Sequence, residues 1–408
     1  MSEPIRILLP LAWRNLWRNP RRTIITILVV SVGLWSILIF SVMLRAWSQS
    51  SRDTTLRLLT GEGQIHAAGY LDDPTAAHRF APPSGHLLRL LESPAVKAFA
   101  ARVRVSAIIQ SEYKTLPVTF VGVVPDQERK LSVLPNQITR GRYLNGSSDA
   151  SIVLGRDLAK RLKTRVGKRV VVMTQAADGH LAEQAFRVVG LFASTEQAED
   201  TFAFTGIVAA QTFTGVGNGI SEIAFDGANN KALSSLITDL RRAAPNLDVR
   251  SWMVLEPLVY AVSTFFNDFI LMWLWVMFTL MTIGIVNTQL MAVFERTREF
   301  GLLQALGMRP RLVLLEVALE SALLIGVGVA VGAVLSVATV QLFPDGIDLG
   351  FLGRGAEFVG AGRILYPRVD TGDFILYSGI VWMLSLLVAL WPARRASRVS
   401  PVEAMSYA

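Results

Sequence analysis

Four stretches of this sequence, residues 23–44, 269–294, 321–343 and 374–391, contain no charged residue. A helix needs about 18 or more such residues to cross roughly 30 Å of hydrocarbon. Lipid offers no partner to an exposed backbone N–H or C=O, so stretches this apolar span as helices. The remaining residues are ordinary in polarity, although the whole chain is 51% hydrophobic and only 18% charged over 408 residues. The expected fold class is therefore a four-helix transmembrane protein with a large inserted mixed α/β domain in water.

Lys and Arg near the span ends set the orientation. Arg14, Arg18, Arg21 and Arg22 precede the first span; Arg296, Arg298, Arg309 and Arg311 fill the link between the second and third; Arg394, Arg395 and Arg398 follow the fourth. Four spans put all three clusters on one side, which should be the cytoplasm, with both termini there. The net charge of +8 is partly explained by this topology and is not read as nucleic-acid binding. The first apolar run exceeds the roughly 7–15 residues of a signal-peptide core, so a retained anchor is expected. With no cysteine in the sequence, disulfides and thiolate metal sites are excluded.

The expected segments are 1–22, an amphipathic cytoplasmic start; 23–45, the first span; 46–267, an outside domain; 268–294, the second span; 295–311, a cytoplasmic link; 312–343, the third span; 344–373, an outside loop; 374–392, the fourth span; and 393–408, a cytoplasmic tail. Within 46–267, strand patterns fall at "GQIHA", "RVRVSAIIQ", "PVTFVGVV", "KRVVVM", "QAFRVVGLF" and "SEIAFD", and helical spacing at "RDLAKRLK" and "NKALSSLITDLRRAAP". The loop 344–373 is rich in Gly and predicts at most a short helix.

The link "ERTREFGLLQALGM" opens with charge and ends in leucines. As a helix it keeps its charged half in water while Leu302, Leu303, Leu306 and Met308 form an apolar patch. Gly301 and Gly307 are expected to weaken it. Before the first span, Trp13, Leu16 and Trp17 alternate with Arg14 and Arg18, a composition suited to the lipid headgroup layer. Glu316 and Glu320, four apart at the start of the third span, should lie near the interface with Arg309 and Arg311 as partners. A charge at mid-bilayer costs about 2.5–3.5 kcal/mol. Gly328 and Gly332 form a G-x-x-x-G suited to close helix packing. The histidines His66, His78, His86 and His180 show no ligand spacing, and no residue is assigned to catalysis or to a metal.

Four stretches carry a family resemblance, three at the ends and in the membrane region and one in the inserted domain. "ERTREFGLLQALGMRPRLVLLEVALESALLIGVGVAVG" resembles the segment after the second span in the FtsX-type permease superfamily, which includes the lipoprotein-releasing Lol permeases and the macrolide-exporter MacB permeases. "WPARRASRVSPVEAM" resembles that family's C-terminal ending and "LAWRNLWRNPRRT" its opening. "SIVLGRDLAKRLKTRVGKRVVV" resembles its periplasmic domain, with Lys168 where an acidic residue is usual.

The resemblance implies a coupling helix that docks on a cytoplasmic ATPase dimer through Glu295, Arg296, Arg298, Glu299, Gly301, Leu302, Leu303, Ala305, Leu306 and Gly307. It also implies a second permease, alike or different, in a bacterial inner membrane. The sequence holds no G-x-x-x-x-G-K-[ST], the nearest stretch being "VGKR", so the ATPase must be a separate chain carrying the ATP and magnesium, and no cofactor is expected here. The implied work is ATP-driven motion of the periplasmic domain that extracts lipoproteins or other lipid-like cargo, delivered to a periplasmic carrier. Antibiotic or peptide efflux through an adaptor and an outer-membrane partner, and signalling to a periplasmic hydrolase without transport, are the alternatives.

Overall fold

The computed structural model describes residues 10, 12–194, 196–229, 232–348 and 364–397. It divides into two compact units, a helical one and an inserted one, Ser51–Ala261, each with its own core.

Among the described residues, four helices are long and apolar enough to cross a membrane. The first, Pro20–Thr55, contains the apolar run 23–44; the second is Pro257–Glu295, the third Pro310–Gln341 and the fourth Thr371–Ser397. Each exceeds the roughly 20 residues that hydrocarbon requires. Val30, Leu34 and Ile37 of the first pack with Ile270, Leu274 and Ile285 of the second, Ile325 of the third and Val381 of the fourth. Lipid-side residues such as Trp275, Ile283 and Val334 remain exposed, as they must where the solvent is itself apolar. The first and third helices approach at the G-x-x-x-G: a Cβ on Gly332 would lie 2.7 Å from the Ser31 carbonyl oxygen, and one on Gly328 2.8 Å from the Val30 Cβ.

The inserted unit is built on one ten-stranded sheet. Its strands are β1 (Gly63–Ala67), β2 (Val96–Gln110), β3 (Thr115–Val123), β4 (Ile138–Gly141), β5 (Ser151–Gly155), β6 (Arg169–Gln175), β7 (Leu181–Phe192), β8 (Phe202–Gly206), β9 (Glu222–Gly227) and β10 (Leu247–Ser251). Their order is β10-β1-β9-β2-β3-β8-β5-β7-β4, with β6 bridging β2 and β7; β3–β8 and β5–β7 are parallel and the other pairs antiparallel. Strand β2 shows why the sequence chooses this state: Val103, Val105, Ala107 and Ile109 alternate into the core. Phe120, Phe186 and Phe213 meet there with ring centroids 5.3–5.6 Å apart. The helix Arg156–Arg161 sits where "RDLAKRLK" predicts it, with Leu158, Ala159 and Leu162 buried. The helix Leu233–Ala243 buries Leu233, Leu236, Ile237 and Leu240, the face read from spacing.

Lys168 is a half-exposed surface residue 3.4 Å from Glu112. His66 is buried, stacked on Tyr70 at 5.0 Å and bonded to Gln64 at 2.9 Å. Within 344–373 the described residues include a two-residue antiparallel ladder, Ile347–Asp348 with Ile364–Leu365; the expectation of at most a short helix falls on 349–363, which lie outside the described residues.

Close approach at Gly332 yields a test. Replacing it with Val drives a side chain into the first helix backbone, and overpacking of this kind costs about 1–3 kcal/mol. The expected outcome is a clear fall in the thermal midpoint of the full chain in detergent, with Gly379→Val, where nothing lies nearby, as the silent control.

Candidate functional site

The second helix ends at Glu295. Arg296 leaves the helical region at φ −105°, ψ 8°, and a short helix, Thr297–Ala305, follows. The break falls at Arg296 and not at Gly301, which is buried within the unbroken helix. Gly307 takes φ 98° and turns the chain so that the third helix starts at Pro310.

Arg296 explains why the break is there. Its side chain is 13% exposed and donates three ways: Nη1 to Glu320 at 2.8 Å, Nη2 to Glu316 at 3.0 Å and Nε to Glu299 at 3.1 Å. Its guanidinium also lies 4.9 Å from the Phe300 ring centroid. Arg22 reaches Glu320 and Glu295 at 3.4 Å each, Asn15 donates to Glu316 at 3.2 Å, and Arg18 grips Glu299 with both terminal nitrogens. The hydrogen bond from Arg18, aided by Arg296, holds the Glu299 carboxyl below its usual range. Three guanidiniums thus bind four carboxylates, and the planar fork of Arg is what allows one cation to serve three acids.

Two expectations are corrected by this geometry. Glu316 and Glu320 pair with Arg296, Arg22 and Asn15 and not with Arg309 and Arg311, which are exposed. Arg311 lies about 140° around the helix from Glu316, given 3.6 residues per turn, and Arg309 precedes the helix. Nor does the charged half of the link stay in water, because Arg296 is drawn into the acidic cluster while Arg298 remains exposed.

Beneath the charges, Phe300 is buried with Val293, Val313, Val317 and Ala393, and Met308 packs against them instead of joining an exposed patch. What the short helix presents outward is Leu302, 59% exposed, and Leu306, 78% exposed, with Ala305 exposed and Leu303 half-buried. Residues 12–16 are helical, with Ala12 and Leu16 buried and Arg14, Trp13 and Trp17 exposed, the two indole rings edge to face at 6.2 Å. Arg18, expected among lipid headgroups, also bonds Glu299 while staying largely exposed. Phe300, Asn15 and Arg22 were not singled out from sequence as parts of this assembly. The signal available was the carboxylate pair Glu316 and Glu320, which near a bilayer demands cations from other helices.

Four membrane-spanning helices, an inserted α/β domain and a short helix braced by ion pairs between the second and third spans define a polytopic membrane protein of the permease type. Residues 23–243 match the MacB-like periplasmic core domain family and residues 271–401 the FtsX-like permease C-terminal family. The chain belongs to this family of ABC-transporter permeases. It is 24% identical over 407 residues to the lipoprotein-releasing system transmembrane protein LolC of Neisseria meningitidis serogroup B, covering 94% of each. It is 22% identical over 352 residues to LolE of Haemophilus influenzae, covering 78% of this chain and 79% of that one. The macrolide export ATP-binding/permease protein MacB of Chlorobaculum tepidum is 33% identical over 126 residues, 30% of this chain and 17% of that one. The crystal structure of the periplasmic region of MacB from Actinobacillus actinomycetemcomitans aligns at 15% identity with a TM-score of 0.36, covering 48% of this chain and 92% of that one.

Arg296→Ala should leave Glu316 and Glu320 largely buried without their main cation, a loss of about 3 kcal/mol by comparison with broken buried pairs. Thermal unfolding in detergent should show that loss, and adding Glu316→Gln and Glu320→Gln to the same chain should recover most of it.

Proposed function

We propose that this chain is the permease subunit of a bacterial inner-membrane ABC transporter that works by mechanotransmission. A separate cytoplasmic ATPase dimer docks on Thr297–Ala305 of this permease and of a second one. Nucleotide-driven closure then moves the spans and, with them, the inserted domain on the periplasmic side. The cargo is a lipoprotein or another lipid-anchored molecule, handed to a periplasmic carrier.

The observation that carries the reading is the pair Leu302 and Leu306, exposed on a helix whose other side is fixed by Phe300 and Arg296. A protein that holds a short helix rigidly while leaving two leucines in water has prepared an anchor for an apolar groove on a partner. The arginine clusters, Arg394 and Arg395 at the end of the fourth helix among them, favour placing this end of the bundle in the cytoplasm. The cargo assignment draws on the similarity to LolC, which extends over 94% of both chains.

Leu302→Asp with Leu306→Asp should abolish co-purification of the ATPase while leaving a monodisperse permease with an unchanged thermal midpoint. Retained co-purification would overturn the docking assignment. Acylated polypeptides should be enriched with the wild-type complex extracted gently without ATP. Their absence would overturn the cargo assignment.

A further inference from the structure

The last turn of the first helix does not end in water. Leu56–Thr60 widens into a π-helical turn with Leu56, Leu59 and Thr60 buried. The Leu56 carbonyl closes the turn's own bond, and each of the other four carbonyls is met by a separate group of the inserted unit. Leu56 O accepts from the Gly61 N–H at 2.8 Å and Arg57 O from the Val133 N–H at 3.0 Å. Leu58 O accepts from Ser132 Oγ at 2.8 Å, Leu59 O from Arg102 Nη1, and Thr60 O from Gln64 Nε2 at 3.0 Å. A helix ordinarily leaves its last four carbonyls to water or to one local cap. Here the donors come from the loop after the helix Pro125–Leu131, from β2 and from β1.

Arg102 is the centre of this arrangement. It is wholly buried in β2, donates to both oxygens of Glu128 at 2.7 and 3.0 Å and to Glu222 at 2.9 Å, and spends its remaining reach on Leu59 O. A cation placed at a helix C-terminus also meets the negative end of the macrodipole. A buried ion triad is weak evidence of added stability, since apolar residues of similar volume often serve as well. Its position, joining the helix end to β2, β9 and the helix after β3, calls for another explanation.

We infer that the inserted domain is a socket that clamps the end of the first helix, with Arg102 as its positioning residue, so that displacement of this helix reaches the sheet and is not absorbed by a fraying turn. The consequence for transport rests on the proposed function, but the clamp itself is testable without any ATPase.

The experiment is amide hydrogen exchange on the full chain in nanodiscs. Arg102→Met with Glu128→Leu and Glu222→Met removes the triad's charges together; Arg104, 3.6 Å from Glu222, loses that carboxylate but is one-third exposed and reaches water. Amides of 56–61 should then exchange faster by on the order of tenfold, with β2 and β9 unchanged. Unchanged exchange at 56–61 would overturn the clamp. Uniform acceleration across 56–61, β2 and β9 would overturn the positioning role, marking Arg102 as a core element only. Ser132→Ala with Gln64→Ala leaves the triad intact and should also speed 56–61 selectively; no change there would overturn the clamp even if the triple variant fails to fold. ATPase co-purification in these variants should match wild type, which separates failure of the clamp from failure of the docking assignment.

Discussion

Everything at one end of the helical unit depends on a guanidinium that several carboxylates share. Glu316 and Glu320 are buried near the start of the third helix, and neither could be held there as an isolated charge. Arg296 satisfies both, and because it also bonds Glu299 it fixes the short helix against the third. Arg22 and Arg18 extend the same network to the start of the first helix. Lysine could supply the charge but not the fork. The short helix is thereby tied to the third span and to the segment that starts the first.

The opposite end of the first helix obeys a different constraint with a related result. Backbone carbonyls at a helix terminus must find donors, and here the inserted domain provides them from several elements. One helix therefore carries an ion network at its start and a complete cap at its end. Close packing against the third helix, enforced by Gly328 and Gly332, lies between. For a proposed machine driven by an ATPase, these are the features expected along a load path.

Much of this was legible in the sequence, for physical reasons. Uncharged runs longer than a bilayer declare spans, and alternation such as that of β2 declares strands half-buried in a core. The short helix between the second and third spans was marked by its family-like motif, and Leu302 and Leu306 were singled out for their spacing. What could not be read was which charges meet. Arg102 sits in the alternating "RVRVSAIIQ", where a charge ordinarily marks the solvent face, yet β9 and the helix after β3 close over it. The pairing of Arg296 with Glu320, 24 residues apart, depends on how the helices pack, as does the order of a sheet whose neighbours are seldom consecutive. Local patterns report faces; partners are set by topology.

The central claim is that Thr297–Ala305 is where the ATPase sits, and the most direct measurement is photo-crosslinking from that helix. A benzophenone amino acid at Leu306 in the intact complex should give an adduct with the ATPase, while the same probe at Leu335, exposed on the third helix, should give none. An ATPase adduct from Leu335 and none from Leu306 would contradict the account.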